Sequence, residues 1–280
     1  MPTLDWNARE WGATYHWSHH GDEWSEFWGG VESQWVATIL PRIRHFLPTA
    51  SMLEIAPGHG RWTRYLIPMS TKYVGVDLSA DCIDFCRERY QAAEHARFFA
   101  NDGSSLPMVA EDSIDFVFSF DSLVHVESEA IESYLFELSR VLAPNGIAFL
   151  HHSNLASHLP ILKLTRALEK TSQALPAAKR TLKRLQVIEW DHARAKSMSA
   201  TRFVEGCQKA GLACVGQEII DWGPRTIDCL SLVTRPGSRW DRPNIVVRNP
   251  DFMSEAASAG RVAGIYSSFH DAKGSGGVPS

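Results

Sequence analysis

Four side chains in two short segments are suited to moving a proton. The segment FSFDSLVHVE carries Asp121 and His125, and FLHHSN carries His151 and His152. An imidazole titrates near neutrality and can act as a general base. A neighbouring carboxylate can orient it and stabilise the cation. The pattern points to His125 or His152 as base, His151 as a third candidate and Asp121 as the orienting acid. Oxygen atoms of Asp121, Glu127 and Asn154 could instead hold Mg²⁺. This edge is richer in histidine than in paired acids, so the reading assigns no metal ligand and keeps Mg²⁺ as the lesser option.

A second chemical element is MLEIAPGHGRWTRYLIP, residues 52–68. A short apolar run suits a buried parallel strand. It breaks at Pro57-Gly58-His59-Gly60 and resumes with helical spacing from Arg61. Glycines let the backbone turn sharply and approach a ligand, and the first N–H groups of a helix face the turn. A dinucleotide fingerprint needs a third glycine, but the third position here is Thr63. Glu54 at the strand end would repel a pyrophosphate and suits a ligand carrying an ammonium group. Asp77 closes the next apolar run, KYVGVDLS, 17 residues after Gly60. That is about the offset at which nucleotide-binding α/β folds place a carboxylate on ribose hydroxyls.

These groups need an alternating strand–helix frame to hold them. Residues 32–47 have helical periodicity with a kink or break expected at Pro41. Ser79 can cap the helix ADCIDFCRERY. ARFFANDGSSLP reads as a third strand ending in Asn101-Asp102-Gly103, and SIDFVFSFD as a central fourth strand, apolar on both faces. A helix over 129–142 and the turn Ala143-Pro144-Asn145-Gly146 lead to a fifth strand, GIAFLHH. Residues 155–198 are helical, basic and amphipathic, and read as an inserted cap. Strands ACVGQEIIDW and TIDCLSLVTRP follow. The domain division is therefore 1–47 arm and helix, 48–235 main domain with the 155–198 cap, and 236–280 extension with a short helix and a mobile KGSGGVPS end.

Six of ten tryptophans (Trp6, Trp11, Trp17, Trp24, Trp28, Trp35) crowd the first 35 residues. Disordered segments lack aromatics, so this arm packs on the main domain, and part of it can cover the site. Net charge is −4 over 280 residues, which disfavours nucleic acid and anionic membrane as partners. Five cysteines without metal-ligand spacing read as reduced thiols. The sequence shows no apolar run of membrane length and no leader at its start. The expectation is a soluble cytoplasmic protein.

The acid-x-x-x-Gly-x-Gly loop, Asp77 and Asn101-Asp102-Gly103, in that order, resemble class I S-adenosylmethionine (SAM)-dependent methyltransferases over residues 52 to about 235. The resemblance implies an α/β, doubly wound, mostly parallel, Rossmann-like sheet of seven strands. It implies SAM as cofactor, S-adenosylhomocysteine as product, and a site of Glu54, Ala56, Gly58, Gly60, Asp77, Leu78, Asn101, Asp102, Gly103 and Phe120. Asp77 would hold the ribose and Asp102 the adenine amine. The two histidine-bearing motifs and the tryptophan arm look like methyltransferases of bacterial polysaccharide biosynthesis. That implies O-methylation of a sugar or oligosaccharide, with Trp17, His20, Trp24 and His192 on the acceptor side. Methylation of a small aromatic or natural-product acceptor, and a non-catalytic SAM-binding partner or sensor, stay open, as does a homodimer.

Overall fold

The computed structural model describes residues 3–172, 176–184, 187 and 190–271. The mobile end expected at 273–280, and short stretches of the cap, lie outside the described residues. Eight strands form one sheet: β1 (Thr49–Ile55), β2 (Ser70–Asp77), β3 (Ala96–Ala100), β4 (Ile114–Ser119), β5 (Leu142–Ser153), β6 (Ala213–Ile220), β7 (Asp228–Thr234) and β8 (Ile245–Asn249). Their order is β3-β2-β1-β4-β5-β7-β6-β8. β1 to β5 are parallel, while β7 runs antiparallel to β5 and β6. Strand order therefore reverses between β1 and β4, and a crevice opens at their carboxyl ends.

Side chains alternate between two faces. Leu53, Ile55, Val117, Ala148 and Leu150 join one core, against the helices Ser128–Val141 and Ala200–Lys209. Met52, Phe116, Phe118, Ile147 and Phe149 join the other, with Trp28, Trp35, Ile39 and Ile43 from the N-terminal region. The N-terminal region thus helps to cover one face, and two of its indoles, Trp28 and Trp35, are part of that core.

Two expectations are corrected. The strand count is eight, because Ile245–Asn249 of the extension pairs parallel to β6; the β7–β6 hairpin leaves an open edge that a β-branched segment can cover. The Pro144-Asn145-Gly146 turn lies within β5, as a shift of register against β4 between Ile114 and Phe116. At Pro41, where a kink or break is expected, the helix runs on without a break: the preceding turn, Trp35–Ile39, widens into a π-helix, which accommodates a ring without an N–H. Among the described residues, no helix is long and apolar enough to cross a membrane.

Candidate functional site

The loop after β1 is the floor of the site. Ala56, Gly58 and Gly60 all have positive φ (59°, 57° and 83°), so the chain doubles back in three steps. The helix that follows, Thr63–Leu66, has one turn, so backbone geometry rather than a long helix shapes this floor. Asp77 braces it: its carboxylate accepts from the N–H of Gly58 (3.0 Å) and of Ser79 (2.9 Å). Burial raises the Asp77 carboxyl above its ordinary value, against those two bonds. A carboxylate has about four acceptor positions, so capacity is left for a ligand.

The N-terminal arm is the roof. Trp17 lies over Gly58, where a Cβ would come within 2.8 Å of the indole. It also stacks on His59 at 4.2 Å, which in turn stacks on Phe85. Asn7 donates to the His125 carbonyl (3.0 Å), and Trp11 donates to the Asn7 amide oxygen (3.1 Å). Between floor and roof is a cavity of about 400 Å³, within the range of small-molecule sites.

The far wall comes from the ends of β4, β5 and β7. Arg61 donates to Asp121 (2.8 Å), and Arg194 forks onto Asp228 through Nε (3.0 Å) and Nη2 (2.8 Å). Arg194 Nη2 also lies 3.8 Å from Asp121 Oδ1, closing a buried chain of two cations and two anions. Both carboxyls lie below their ordinary value: burial opposes this, and the arginines outweigh it. Trp222 lies under the Arg194 guanidinium, and Trp62 and Trp24 flank that of Arg61. Asp121, His192 and Ala193 hold left-handed backbone without being glycine. Such strain costs about 1–2 kcal/mol per residue and clusters at sites that need a side chain placed.

His125 sits on the same wall, its Nδ1 3.0 Å from the Ala193 carbonyl. Nδ1–H donating to that oxygen leaves Nε2 as an acceptor without a hydrogen-bond partner among the described residues. Burial lowers the His125 pKa to about 4, with a further push from Arg194, so the ring is neutral at physiological pH.

Residues 52–146 match the methyltransferase domain family. The chain has the class I methyltransferase fold. The PH0226 protein of Pyrococcus horikoshii superposes with a TM-score of 0.51 over 73% of this chain and 89% of that one, at 19% identity, which shows the fold alone. Among curated proteins, the chain is 30% identical over 121 residues to the biotin biosynthesis bifunctional protein BioHC of Cellvibrio japonicus, covering 43% of this chain and 23% of that protein. It is 34% identical over 101 residues to a fatty-acid O-methyltransferase of Mycolicibacterium smegmatis, covering 34% of each. The chain thus spans about a quarter to a third of the length of these relatives.

Within this methyltransferase fold, Ala56, Gly58, Asp77, Leu78, Gly103, Phe120, Asp121, His125, Trp17, Trp24 and His192 line the cavity. Other expected site residues do not. Glu54 is beneath the loop, accepting from Thr63 Oγ1 (2.6 Å) and the Tyr73 hydroxyl, with burial raising its pKa to about 7. Gly60 backs onto Tyr90. Asn101 is spent on Ser105, Tyr134 and Gly103, and exposed Asp102 on the N–H and hydroxyl groups of Ser104 and Ser105. His20 stacks on Phe85 at the surface.

The paired histidines are the clearest correction. Neighbours on a strand point to opposite faces, so His151 and His152 cannot serve one site. His152 is fully buried away from the cavity, stacked on Phe203 at 4.0 Å and bonded to Ser231. His151, equally buried, accepts from the Asp121 N–H at Nδ1 and places Nε2 3.3 Å from Asp228. Asp121 turns to Arg61 rather than to a histidine; the group that orients His125 is the Ala193 carbonyl. Glu127 and Asn154, considered as oxygen ligands, are bonded to Ser197, and to Ser157 and Ala200. Among the described residues no group of three or more His, Cys, Asp or Glu is placed to hold a metal.

Asn7, Arg61, Trp62, Arg194, Trp222 and Asp228 had no role legible in the sequence, and Trp11 only that of an arm indole. One signal was present: Asp228 is an acid inside the apolar run TIDCLSLV, and such a residue needs a buried partner.

Proposed function

We propose that this chain is a SAM-dependent O-methyltransferase, that its acceptor is a polyhydroxylated molecule of the sugar or oligosaccharide class, and that His125 is the base. The cavity fits the cofactor: Asp77 retains acceptor positions for ribose hydroxyls, and Leu78, Gly103, Leu123 and Val126 give an apolar slot for a purine. SAM supplies an electrophilic methyl group on a sulfonium. The chain's own residues do the rest. Trp11, Trp24 and Trp222 present rings against which a pyranose can stack, and the Arg61–Asp121 and Arg194–Asp228 pairs present donors and acceptors suited to hydroxyl groups.

The observation that carries this reading is His125, held by one nitrogen on the cavity wall with the other free. An alcohol oxygen becomes strongly acidic as it accepts a methyl group, so a weakly basic imidazole can take the proton at that moment. The arm and the wall frame the cavity, so an acceptor seated there can present its hydroxyl in line with the methyl group.

Calorimetry with S-adenosylhomocysteine, followed by transfer of labelled methyl from SAM to a panel of mono- and oligosaccharides, phenols and fatty acids, tests the reading. Transfer confined to phenols or fatty acids overturns the acceptor class. Failure to take up S-adenosylhomocysteine overturns the whole.

A further inference from the structure

The cap carries a surface that the cavity does not use. Its first helix, Leu159–Ser172, buries Leu162 and Thr165 on the inner side. Leu162 packs with Leu155, Trp190 and Ile227, and Thr165 accepts from Trp190 Nε1 (3.1 Å). Arg166 pairs with Asp191 (2.6 Å), so this helix is fastened to the segment that runs into the cavity wall at His192 and Arg194. The outer side holds a line of large apolar side chains. Ile161, Leu164 and Leu168 follow at the three- and four-residue intervals of one helix face, and they are 37%, 63% and 42% exposed. Exposed Lys163 and Lys170, seven residues apart, run along one margin of that line. The next cap helix, Pro176–Arg184, packs against the first and places Lys179, Arg180, Lys183 and Arg184 on one face.

We propose that this face of the cap docks on the surface of a bilayer containing anionic phospholipids. A line of leucine and isoleucine beside a basic margin suits a helix lying in the headgroup plane, where the apolar side chains enter the acyl boundary and the cations meet lipid phosphates. A nucleic acid would engage the cations and leave the leucines in water; a bilayer engages both. Charge supports the choice. Residues 159–184 hold seven Lys and Arg against one Glu, in a chain whose net charge is −4. That net value averages over a segregated distribution, and salt screens exposed charges beyond about 8 Å at physiological ionic strength, so a surface meets the basic cap rather than the acidic remainder. The wall segment lies against the inner side of the docked helix, so docking sets it about one helix diameter, about 10 Å, from the headgroups. Neither cofactor nor acceptor takes part, so the test is separate from that of the methyltransferase reading.

The test is co-sedimentation of the full chain with phosphatidylcholine vesicles, with and without phosphatidylglycerol, beside retention on duplex DNA. The wild type is expected to bind the mixed vesicles about tenfold or more tighter than pure phosphatidylcholine. Leu164→Gln with Leu168→Gln, and separately Lys163→Gln with Lys170→Gln, are each expected to weaken that binding about tenfold. All four side chains are exposed, so the midpoint of urea unfolding is expected to stay at the wild-type value. If a pair shifts that midpoint, Leu164→Gln alone, at the most exposed of these positions, decides by a several-fold loss. No uptake by the mixed vesicles, or equal uptake by both kinds, overturns the proposal. Uptake that the leucine substitutions leave unchanged also overturns it, as does tighter retention on DNA than on the vesicles, because either makes the cap a polyanion site.

Discussion

The Ala193 carbonyl oxygen lies 3.0 Å from Nδ1 of His125, and this one bond fixes which ring nitrogen faces the cavity. Ala193 holds a φ of 55° to present that oxygen. Around it, Arg194 donates to Asp228, Ala195 donates to the Val124 carbonyl and Ser153 donates to that of Ala195. The end of the cap is thereby clamped to β5 and to the loop after β4, and the tautomer of His125 is set by a turn about 68 residues away in sequence.

His125→Ala is expected to lower kcat about 10²–10⁴-fold and to leave S-adenosylhomocysteine affinity unchanged. Because burial holds His125 at about 4, kcat/KM is expected to stay flat from pH 8 to 6 and to fall as pH approaches 4. A pH–rate profile with its acid limb centred near 6.5 would reject His125 as the group that must be unprotonated.

Asp77→Ala removes the brace under Gly58 together with the ribose acceptor, and is expected to weaken S-adenosylhomocysteine binding at least tenfold. Asp102→Ala is expected to leave it unchanged, since the Asp102 carboxylate is turned to Ser104 and Ser105 at the surface. Calorimetry on the two variants distinguishes the roles. The reverse order would restore the adenine contact to Asp102.

Arg194→Met leaves Asp228 buried without its cation. Breaking one side of a buried pair costs about 3–5 kcal/mol, so a large drop in the midpoint of urea unfolding is expected. Asp228→Asn with Arg194→Met, which removes both charges, is expected to recover part of it.

Acidification is expected to destabilise the fold between pH 6.5 and 4. His59, His125 and His152 are each lowered to about 4 by burial. The unfolded chain therefore binds up to three protons there that the native chain does not, and stability falls as pH falls through that window. Glu54 has the opposite sign. Its carboxyl is raised to about 7, so its contribution is lost as pH rises from 4.5 to 7 and offsets about one of the three. With three such histidines against one carboxyl, unfolding free energy is expected to rise with pH near 5.5, reporting a net proton uptake on unfolding. A flat or inverted slope would contradict these burials.

Much of the frame was legible in the sequence because it is local. Apolar runs of strand length, glycines at Gly58 and Gly60, and an acid at Asp77 each act within a few residues, and together they specify the first strands and the loop between them. The tryptophans of the arm also announced burial. The eighth strand was not legible, since IVVRN becomes a strand only where the β7–β6 hairpin leaves an edge open.

The candidate site divides along the same line. The residue types were visible in the chain: histidines and an aspartate after β4 and β5, and indoles at the start. Which of them share a cavity depends on strand phase and on long-range partners. The alternation that sends His151 to one face and His152 to the other was readable in principle, yet which face holds the cavity is fixed by where the arm packs. Arg61, Arg194 and Asp228 became one buried chain only on folding, because ion pairs out of water are set by what surrounds them in space, not by spacing along the chain.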